Sequence, residues 1–176
     1  SWAQTAPNYM HSDQHIYANH PTNDSIVYMG CDGGIFKYTY AAAPVAANWA
    51  SLNAKLKGHQ VYAMKTHPSD ALYLMSGFQD NATGASRGNL ASWKNLMAGD
   101  GAWPAFDKVT PGIHYTSWQF GSICRYPSAG STSPVFLTAG GWSTQFIAPY
   151  VVGGTGSQLY GGHDRVRRWN GVLATP

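Results

Sequence analysis

HIYANHPTNDSIVYMGCDGG, residues 15–34, is the stretch of sequence that decides the fold of this chain. Two short apolar runs, at 16–18 and 26–29, flank a Pro-Thr-Asn-Asp turn, and the second run leads into Gly-Cys-Asp-Gly-Gly. Short apolar runs on either side of turn-forming residues predict a β-hairpin, and the glycines predict a polar loop over 30–34.

This unit returns three times in weakened form, at 60–81, 103–121 and 146–164. A tyrosine holds the same place in the second apolar run of each copy, and the four follow one another at intervals of 45, 42 and 45 residues: Tyr28, Tyr73, Tyr115 and Tyr160. A spacing of about 40–45 residues with paired strands and no helical pattern is typical of β-propeller blades. A β-sandwich also has regularly spaced strands, but it does not predict the same turn and loop chemistry at each interval.

Each repeat has room for a blade of four antiparallel strands. A third strand is predicted after three of the polar loops, at 35–40, 122–126 and 165–169, and Trp49 and Trp93 are expected to begin outermost strands. The blades lie near 11–53, 59–97, 100–137 and 144–176, within one β-propeller segment over 1–176. The chain therefore holds about 3.5–4 blades, whereas closed propellers have 4–8. Because bare strand edges are avoided, we expect a partial ring or one completed by another chain.

Composition restricts the function classes. The 176 residues are 44% hydrophobic and 14% aromatic, enough for a sizeable core, but only 11% are charged. A surface rich in Ser, Thr, Asn, Gln, Gly and Tyr suits glycan or protein ligands. The net charge is +3 and the basic run is limited to Arg165, Arg167 and Arg168, so we expect no nucleic-acid partner. No apolar run approaches the ~20 residues of a membrane span. Cys31 and Cys124 fall two blades apart, too far for a bridge to each other, so they are expected to be free thiols or to pair with another chain.

Several motifs together resemble a known family. They are His11-x-Asp13-Gln14-His15, a Pro-Thr-Asn turn, Val-Tyr-x-Gly-x-Asp-Gly-Gly at 27–34, Trp-x-x-Leu-Asn at 49–53, Gln-Asp-Asn-x-Thr at 79–83 and Gly-Asp-Gly at 99–101. Their order is similar to that of extracellular β-propellers built from BNR or Asp-box repeats, which include sortilin-like domains and xyloglucan-cleaving endoglucanases. The Asp-boxes are degenerate here, because only their tryptophans remain, at Trp49 and Trp93. The resemblance implies a secreted or cell-surface protein.

Polar residues precede the first strand and follow the second strand in every copy, and in a blade these two positions meet at one end of the ring. They are His11, Asp13, His15 and Asp32 in the first copy, His59, Gln60, Gln79, Asp80 and Asn81 in the second, Asp100 and Gln119 in the third, and Thr144, Gln145, His163 and Asp164 in the fourth. We therefore expect one ligand-binding face around the central channel.

His11, Asp13 and His15 form the sharpest local pattern. In an extended chain, side chains at i, i+2 and i+4 point the same way, and two imidazoles with one carboxylate suit a divalent metal ion. Asp32 and Asp100 are the candidates for a fourth ligand. The alternative is structural: the histidines and the aspartate cap a loop and bond to the neighbouring backbone. No other cofactor is indicated by the sequence.

Asp32 and Asp100 are the candidate catalytic residues if the chain is an enzyme. Glycoside hydrolysis needs two carboxyl groups about 5–10 Å apart, and the resemblance to the endoglucanases implies that catalytic aspartates occupy blade loops of this kind. Asp-Gly and Asp-Asn pairs also serve tight turns, where Asp bonds its own backbone and Gly takes a positive φ. Because the pattern recurs in several copies, a structural role is the competing interpretation.

Aromatic residues beside the polar loops favour ligand binding, because they stack on sugar rings, although they also fill gaps between blades. They are Phe78, Trp103, Trp118, Phe120 and Trp142. The predicted ligand-binding set is His59, Gln79, Asp80, Asn81, Trp103 and Trp118. The sequence favours a binding or scaffold module for glycan or protein. A glycoside hydrolase of the xyloglucanase-like type and a structural assembly subunit are the alternatives.

Overall fold

The computed structural model describes Pro7 and residues 10–42, 45–56, 58–131, 133–137, 145–153, 158–162 and 164–169. Within these ranges the chain is built mainly of β-strands, together with three short 3-10 turns. It divides into two compact units, Ser1–Gly58 and His59–Pro176. None of the helical segments described is long and apolar enough to cross a membrane. The assignment of 1–176 to a single propeller segment stays a prediction.

The first unit holds one antiparallel sheet of four consecutive strands. These are β1 (Gln14–Asn19), β2 (Ile26–Cys31), β3 (Gly34–Thr39) and β4 (Trp49–Ser51), hydrogen-bonded in that order. The pairing places Met29 of β2 opposite Phe36 of β3, and both side chains are buried. β4 begins at Trp49, as the sequence predicts, and the indole packs against Tyr38 with ring centroids 4.9 Å apart.

The turn between β2 and β3 is shorter than the sequence predicts. Gly30 and Cys31 belong to β2, and Cys31 lies opposite Gly34, the first residue of β3. Only Asp32 and Gly33 are left to form the turn. The reason is that a strand tolerates glycine where a neighbour approaches closely, and a Cβ on Gly30 would lie 2.9 Å from the Ile16 side chain.

Asn53 holds this turn from outside the hairpin. Its Oδ1 accepts the Ile35 N–H at 2.8 Å, and its Nδ2 donates to the Gly33 carbonyl at 2.9 Å. Gly34 has φ 112, and a Cβ there would lie 2.2 Å from the Asn53 Oδ1. The Asn that ends the Trp-x-x-Leu-Asn motif therefore ties the glycine turn to the segment after β4.

The second unit holds three antiparallel sheets, each again built from consecutive strands. The first contains β5 (Val61–His67), β6 (Asp70–Phe78), β7 (Thr83–Arg87) and β8 (Lys94–Met97). The second contains β9 (Ala105–Phe106), β10 (His114–Trp118), β11 (Ser122–Tyr126) and β12 (Val135–Phe136). In the described chain the third contains β13 (Tyr150–Val152), β14 (Leu159–Gly162) and β15 (Val166–Trp169). Four successive antiparallel sheets confirm the predicted all-β blades, because the strands of a sandwich cross between two sheets.

The sequence does not predict β7, because its residues, TGASR, carry no apolar alternation. Gly84 lets this strand pass close to two aromatic rings. A Cβ there would lie 3.1 Å from the Phe78 ring and 3.2 Å from the Trp93 indole. The two aromatic rings pack edge to face across it, with centroids 5.8 Å apart. β8 begins one residue after Trp93, close to the predicted start.

Neighbouring sheets of the second unit share their cores. Tyr115 of β10 packs in one buried cluster with Tyr150 of β13 and Leu159 of β14. Met97 of β8 packs in another with Cys124 of β11. Burying a side chain of this size contributes about 1.5–3 kcal/mol, so successive sheets are held face to face as propeller blades are. Both cysteines of the chain are free, and Cys124 is fully buried.

A neutral histidine lies within this core. His114, the first residue of β10, is fully buried and stacks on Tyr126, with ring centroids 4.8 Å apart and an interplanar angle of 2°. Burial lowers the pKa of His114 to about 4; the backbone contact with Gly112 opposes this change and the nearby His67 adds to it. The imidazole is therefore uncharged at neutral pH.

Candidate functional site

Four polar side chains of the first unit meet beside the turn after β2, and we call them the His11 cluster: His11, Asp13, His15 and Asp32. Asp32 contacts both imidazoles, since its Oδ1 is 2.5 Å from His15 Nε2 and its Oδ2 is 3.9 Å from His11 Nδ1. Asp13 Oδ2 lies 3.4 Å from His11 Nδ1. The structure thus brings the predicted metal set together with Asp32, one of its two candidate fourth ligands.

The backbone builds this cluster differently from the extended pattern that the sequence predicts. β1 begins at Gln14, and its pairing with β2 shifts register between Gln14 and Ile16, so His11 and Asp13 precede the strand. The Asp13 N–H donates to His11 Nδ1, and the Asp13 carbonyl accepts the Asp32 N–H, both at 3.3 Å. These backbone bonds are the kind that the structural alternative expects, and they fix the positions of the side chains.

The second unit has a corresponding end, which we call the loop face. It comprises residues that come before the first strand or after the second strand of a sheet, at 59–60, 79–82, 98–104, 119–121 and 145–149. The Asp80 N–H donates to Asp100 Oδ1 at 3.0 Å, which joins the loops of the first two sheets. The Phe120 N–H donates to the Phe146 carbonyl at 2.8 Å, which joins the loops of the second and third sheets. Loops from all three sheets of this unit therefore meet at one end.

Asp100 is the centre of the hydrogen bonds on the loop face. Besides accepting the Asp80 N–H, it donates its own N–H to Gln119 Oε1 at 3.3 Å. Asp80 is in the left-handed region with φ 57, and the bond to Asp100 holds it there. Partial burial and the carboxylates of Asp100 and Asp80 raise the pKa of Tyr62. Sequence reasoning missed Tyr62, because its place beside these loops comes from the pairing of β5 with β6.

The two predicted catalytic residues fall in different units, Asp32 in the first and Asp100 in the second. Within its own unit, Asp32 contacts the His15 imidazole, and Asp100 accepts a backbone N–H. Both carboxylates thus take part in holding loops, which is the competing interpretation of the Asp-Gly motifs. Their role in catalysis stays a prediction.

Four residues of the predicted ligand-binding set lie on the loops around β5 and β6, namely His59, Gln79, Asp80 and Asn81. The His59 ring packs against Phe78 with centroids 4.8 Å apart. The Gln79 N–H donates to the Gln60 carbonyl at 2.9 Å. Asn81 Nδ2 donates to the Gln79 carbonyl at 3.0 Å. The loop is thus ordered by its own polar groups, and the contribution of these side chains to ligand binding stays a prediction.

The tryptophans of the predicted set are half-buried and take part in packing. Trp103 packs against the buried cluster around Tyr115, and its carbonyl accepts the Tyr150 hydroxyl at 2.7 Å. Trp118 packs edge to face on Phe136 with centroids 5.5 Å apart. Ligand contact by these two indoles stays a prediction. Three residues expected at this face lie outside the described residues: Trp142, Thr144 and His163.

An exposed aromatic pair stands on the loop face. Phe120 is 58% exposed and Phe146 is 45% exposed, and their rings meet edge to face with centroids 5.3 Å apart. Phe120 has φ 60 and ψ 32, a left-handed conformation that is unusual for a bulky residue. Sequence reasoning named Phe120 but missed Phe146, because only the third and fourth repeats together show that the two residues are neighbours.

Comparisons with known proteins bear on the fold. No protein-family model matches the chain, and no curated protein matches it either. An ancestral GH74 enzyme of known structure is similar to it with a TM-score of 0.54 and 16% identity, over 92% of this chain and 23% of the enzyme. A computationally designed protein, Ika4, gives a TM-score of 0.47 and 14% identity, over 97% of this chain and 99% of that one. The likeness to the GH74 enzyme shows that the chain has the fold of a partial β-propeller, and the chain spans less than a quarter of that enzyme's length.

Proposed function

We propose that this chain is part of an extracellular β-propeller that binds carbohydrate at the loop face of its second unit. The exposed pair of Phe120 and Phe146 carries the proposal. Burying apolar surface stabilises a protein by about 25 cal/mol per Å², and a left-handed Phe costs about 1–3 kcal/mol. The rings of Phe120 and Phe146 stay exposed, and Phe120 has a strained backbone conformation. Both features fit a surface that a ligand covers.

Carbohydrate is the ligand class that suits this surface best. A sugar ring offers a C–H face for stacking on an aromatic ring, and its hydroxyls need donors and acceptors beside that ring. Gln119 and Asp100 supply such groups next to Phe120. The low content of charged residues, 11%, argues against an ionic ligand. A protein ligand is the other candidate in the same class of function.

The test separates binding from folding with Phe120→Gly. Glycine adopts φ 60 without strain, so this variant keeps the loop while removing the ring. Isothermal titration with soluble xyloglucan and mixed-linkage β-glucan oligosaccharides is expected to show binding by the parent chain. Loss of the ring should weaken it by about tenfold or more, as for an aromatic hot spot.

Tyr40→Ala is the matched control, since Tyr40 is an aromatic residue that is 67% exposed and lies in the first unit, outside the loop face. It is expected to bind as the parent chain does. Unchanged binding in Phe120→Gly, or an equal loss in Tyr40→Ala, would refute the proposed surface. If no glycan binds, the protein-ligand alternative takes its place.

A glycoside hydrolase is the competing function, with Asp32 and Asp100 as its carboxyl groups. The structural use of Asp100, whose carboxylate holds the left-handed Asp80, favours the binding module. Release of reducing sugar from xyloglucan or β-glucan that disappears in Asp32→Asn or Asp100→Asn would decide for the hydrolase. Full activity in both variants would remove the two residues from the mechanism.

We also propose that further blades, in the same protein or from another copy, complete the ring. Every residue of β1 is exposed, including the apolar Ile16 and Tyr17, which fits an inner strand that further blades cover. Analytical ultracentrifugation distinguishes the cases, because a self-completing chain is a dimer or larger. The degenerate Asp-box pattern supports a secreted or cell-surface location, which fractionation of the source cells tests.

A further inference from the structure

We propose that the His11 cluster of the first unit binds one divalent transition-metal ion, with His11, Asp13 and Asp32 as ligands. The ion would be held by His11 Nδ1, Asp13 Oδ2 and Asp32 Oδ2. His15 acts as a positioning residue, which orients the Asp32 carboxylate through its Nε2. All three ligands lie in the first unit.

The spacing of the ligand atoms fits a small ion. Bonds of about 2.0–2.2 Å around a tetrahedral ion place neighbouring ligand atoms about 3.3–3.6 Å apart. His11 Nδ1 and Asp13 Oδ2 are 3.4 Å apart, and His11 Nδ1 and Asp32 Oδ2 are 3.9 Å apart. Ligand atoms of these three residues all lie within 4.8 Å of one another. The two distances from His11 Nδ1 therefore lie within a few tenths of an ångström of the range that a tetrahedral ion requires.

The cluster is organised by its backbone. The bond from the Asp32 N–H to the Asp13 carbonyl joins the segment before β1 to the turn after β2. Gly33 lets the two segments approach, because a Cβ there would lie 3.0 Å from the His11 Cβ. His11 Nδ1 accepts the Asp13 N–H, which defines a tautomer with a lone pair on that nitrogen. Because an imidazole nitrogen has one such lone pair, a bound ion would replace this hydrogen bond. The ligand atoms are thus close together before the ion binds.

The carboxylate of Asp32 is held in place by the His15 imidazole. Its Oδ1 lies 2.5 Å from His15 Nε2, which leaves its Oδ2 on the side that faces His11. Carboxylate ligands of metal sites are commonly held in this way by an outer hydrogen bond. His15 is therefore assigned to the support of Asp32 and not to the ion itself.

The ligand chemistry selects the kind of ion. Imidazole nitrogen suits Zn²⁺ and other first-row transition metals, whereas Mg²⁺ and Ca²⁺ prefer an all-oxygen set. One imidazole with two carboxylates leaves room for a water ligand, as in open sites of Zn²⁺ and Mn²⁺. We expect Zn²⁺ and Mn²⁺ to bind more tightly than Mg²⁺.

The first test is isothermal titration of the full chain with ZnCl₂ and, separately, with MnCl₂. The parent chain is expected to bind one ion in a saturable step. His11→Ala and Asp13→Ala are expected to lower the affinity by about 100-fold or more, since each removes a ligand. The melting temperature of each variant without metal checks that it folds.

His20→Ala and Asp24→Ala are the matched controls, because both residues lie in the same unit at the opposite end of the β1–β2 hairpin. Their affinity for Zn²⁺ is expected to equal that of the parent. Binding that survives in His11→Ala and Asp13→Ala, or that falls as far in the controls, would overturn the proposal.

The second test addresses His15 and Gly33. His15→Phe is expected to lower the affinity by about 10–100-fold, and His15→Gln to restore most of it, because a glutamine amide still donates to Asp32. Gly33→Ala keeps every ligand but displaces His11, so it should weaken binding without changing the stoichiometry. Equal affinity in the Gln and Phe variants would remove His15 from the site.

Discussion

The turn after β2 and the turn after β10 both need a residue with positive φ, and they use different residues for it. The first has Gly34 at φ 112, where a Cβ would collide with Asn53. The second has Phe120 at φ 60, with its ring largely exposed. The fold explains the glycine completely. It does not explain the phenylalanine, because glycine would adopt the same backbone without strain, and this difference directs attention to a ligand at the second turn.

The strongest test of this comparison is Gly34→Ala. The added methyl group meets Asn53 Oδ1 at 2.2 Å and is strained at φ 112, and displacement of Asn53 also breaks its bonds to Ile35 and Gly33. We expect a loss of about 3 kcal/mol or more in the free energy of unfolding, measured by urea denaturation.

Gly88→Ala is the control for backbone strain alone. Gly88 has φ 75, but no atom lies within 4 Å of the added Cβ. We expect it to cost about 1 kcal/mol. If Gly34→Ala costs no more than this control, the contact with Asn53 does not explain the glycine.

Acid is expected to weaken the second unit more than the first. All buried polar and charged side chains that the structure describes lie in the second unit, among them His114 at the start of β10. The pKa of His114 is about 4 in the folded chain, against 6.5 for an unperturbed histidine. As pH falls, His114 therefore takes up its proton in the unfolded chain before it does so in the folded chain. The free energy of unfolding keeps its full value above pH 6.5 and decreases by up to about 3 kcal/mol as the pH falls towards 4.

Urea unfolding between pH 7 and pH 4 measures this loss, and hydrogen exchange assigns it to a unit. His114→Phe keeps an aromatic ring on Tyr126 but cannot be protonated. Its stability is expected to change less over this pH range than that of the parent. An identical pH dependence in the two proteins would rule out His114 as the cause.

The turn after β6 offers an intermediate case, because Asp80 also has positive φ but is held by Asp100. Asp100→Ala leaves the Asp80 N–H without this acceptor and is expected to cost about 1–3 kcal/mol of unfolding free energy. Asp100→Asn keeps an acceptor oxygen and is expected to cost less than about 1 kcal/mol. If thermal melts show equal losses, the carboxylate matters for its charge and not for this bond.

The smallest effect is expected for Phe120→Gly. Removal of the strained residue is expected to leave the unfolding free energy unchanged or to raise it by about 1 kcal/mol, because the ring is mostly exposed and glycine relieves the strain. Differential scanning calorimetry measures the change. A destabilisation of about 2 kcal/mol or more would show that Phe120 serves the fold, and the contrast with Gly34 would disappear.

Much of the fold follows from the repeat. The interval between Tyr28, Tyr73, Tyr115 and Tyr160 places each of them in the second strand of its own sheet. The sequence did not predict β7. Gly84 is needed there because the rings of Phe78 and Trp93 pack across it, and such contacts produce no periodic pattern of residue types in the sequence. The predicted loop at 30–34 was too long, because glycine favours a turn locally and yet fits a strand wherever a neighbour crowds it.

The two candidate sites also differ in how much of each could be predicted from the sequence. His11, Asp13 and His15 are close in sequence, so their association with Asp32 could be predicted from one hairpin whose ends meet. Phe146 on the loop face and Tyr62 beside it were missed, because their neighbours come from other strands or sheets. The pattern of residue types reveals contacts within a repeat, and contacts between repeats appear only once the sheets are packed.

By itself, the sequence determined the pattern of apolar runs, the turns and the repeat interval that produce four antiparallel sheets. These features depend on forces between residues that are close in the chain. Only the tertiary structure decided which loops meet, which glycines are obligatory and which aromatic rings stay exposed. Gly34 is required by Asn53, 19 residues later, and Phe120 meets Phe146 from the next sheet. Packing sets these outcomes, since a side chain's cost or benefit depends on the atoms that the fold places against it.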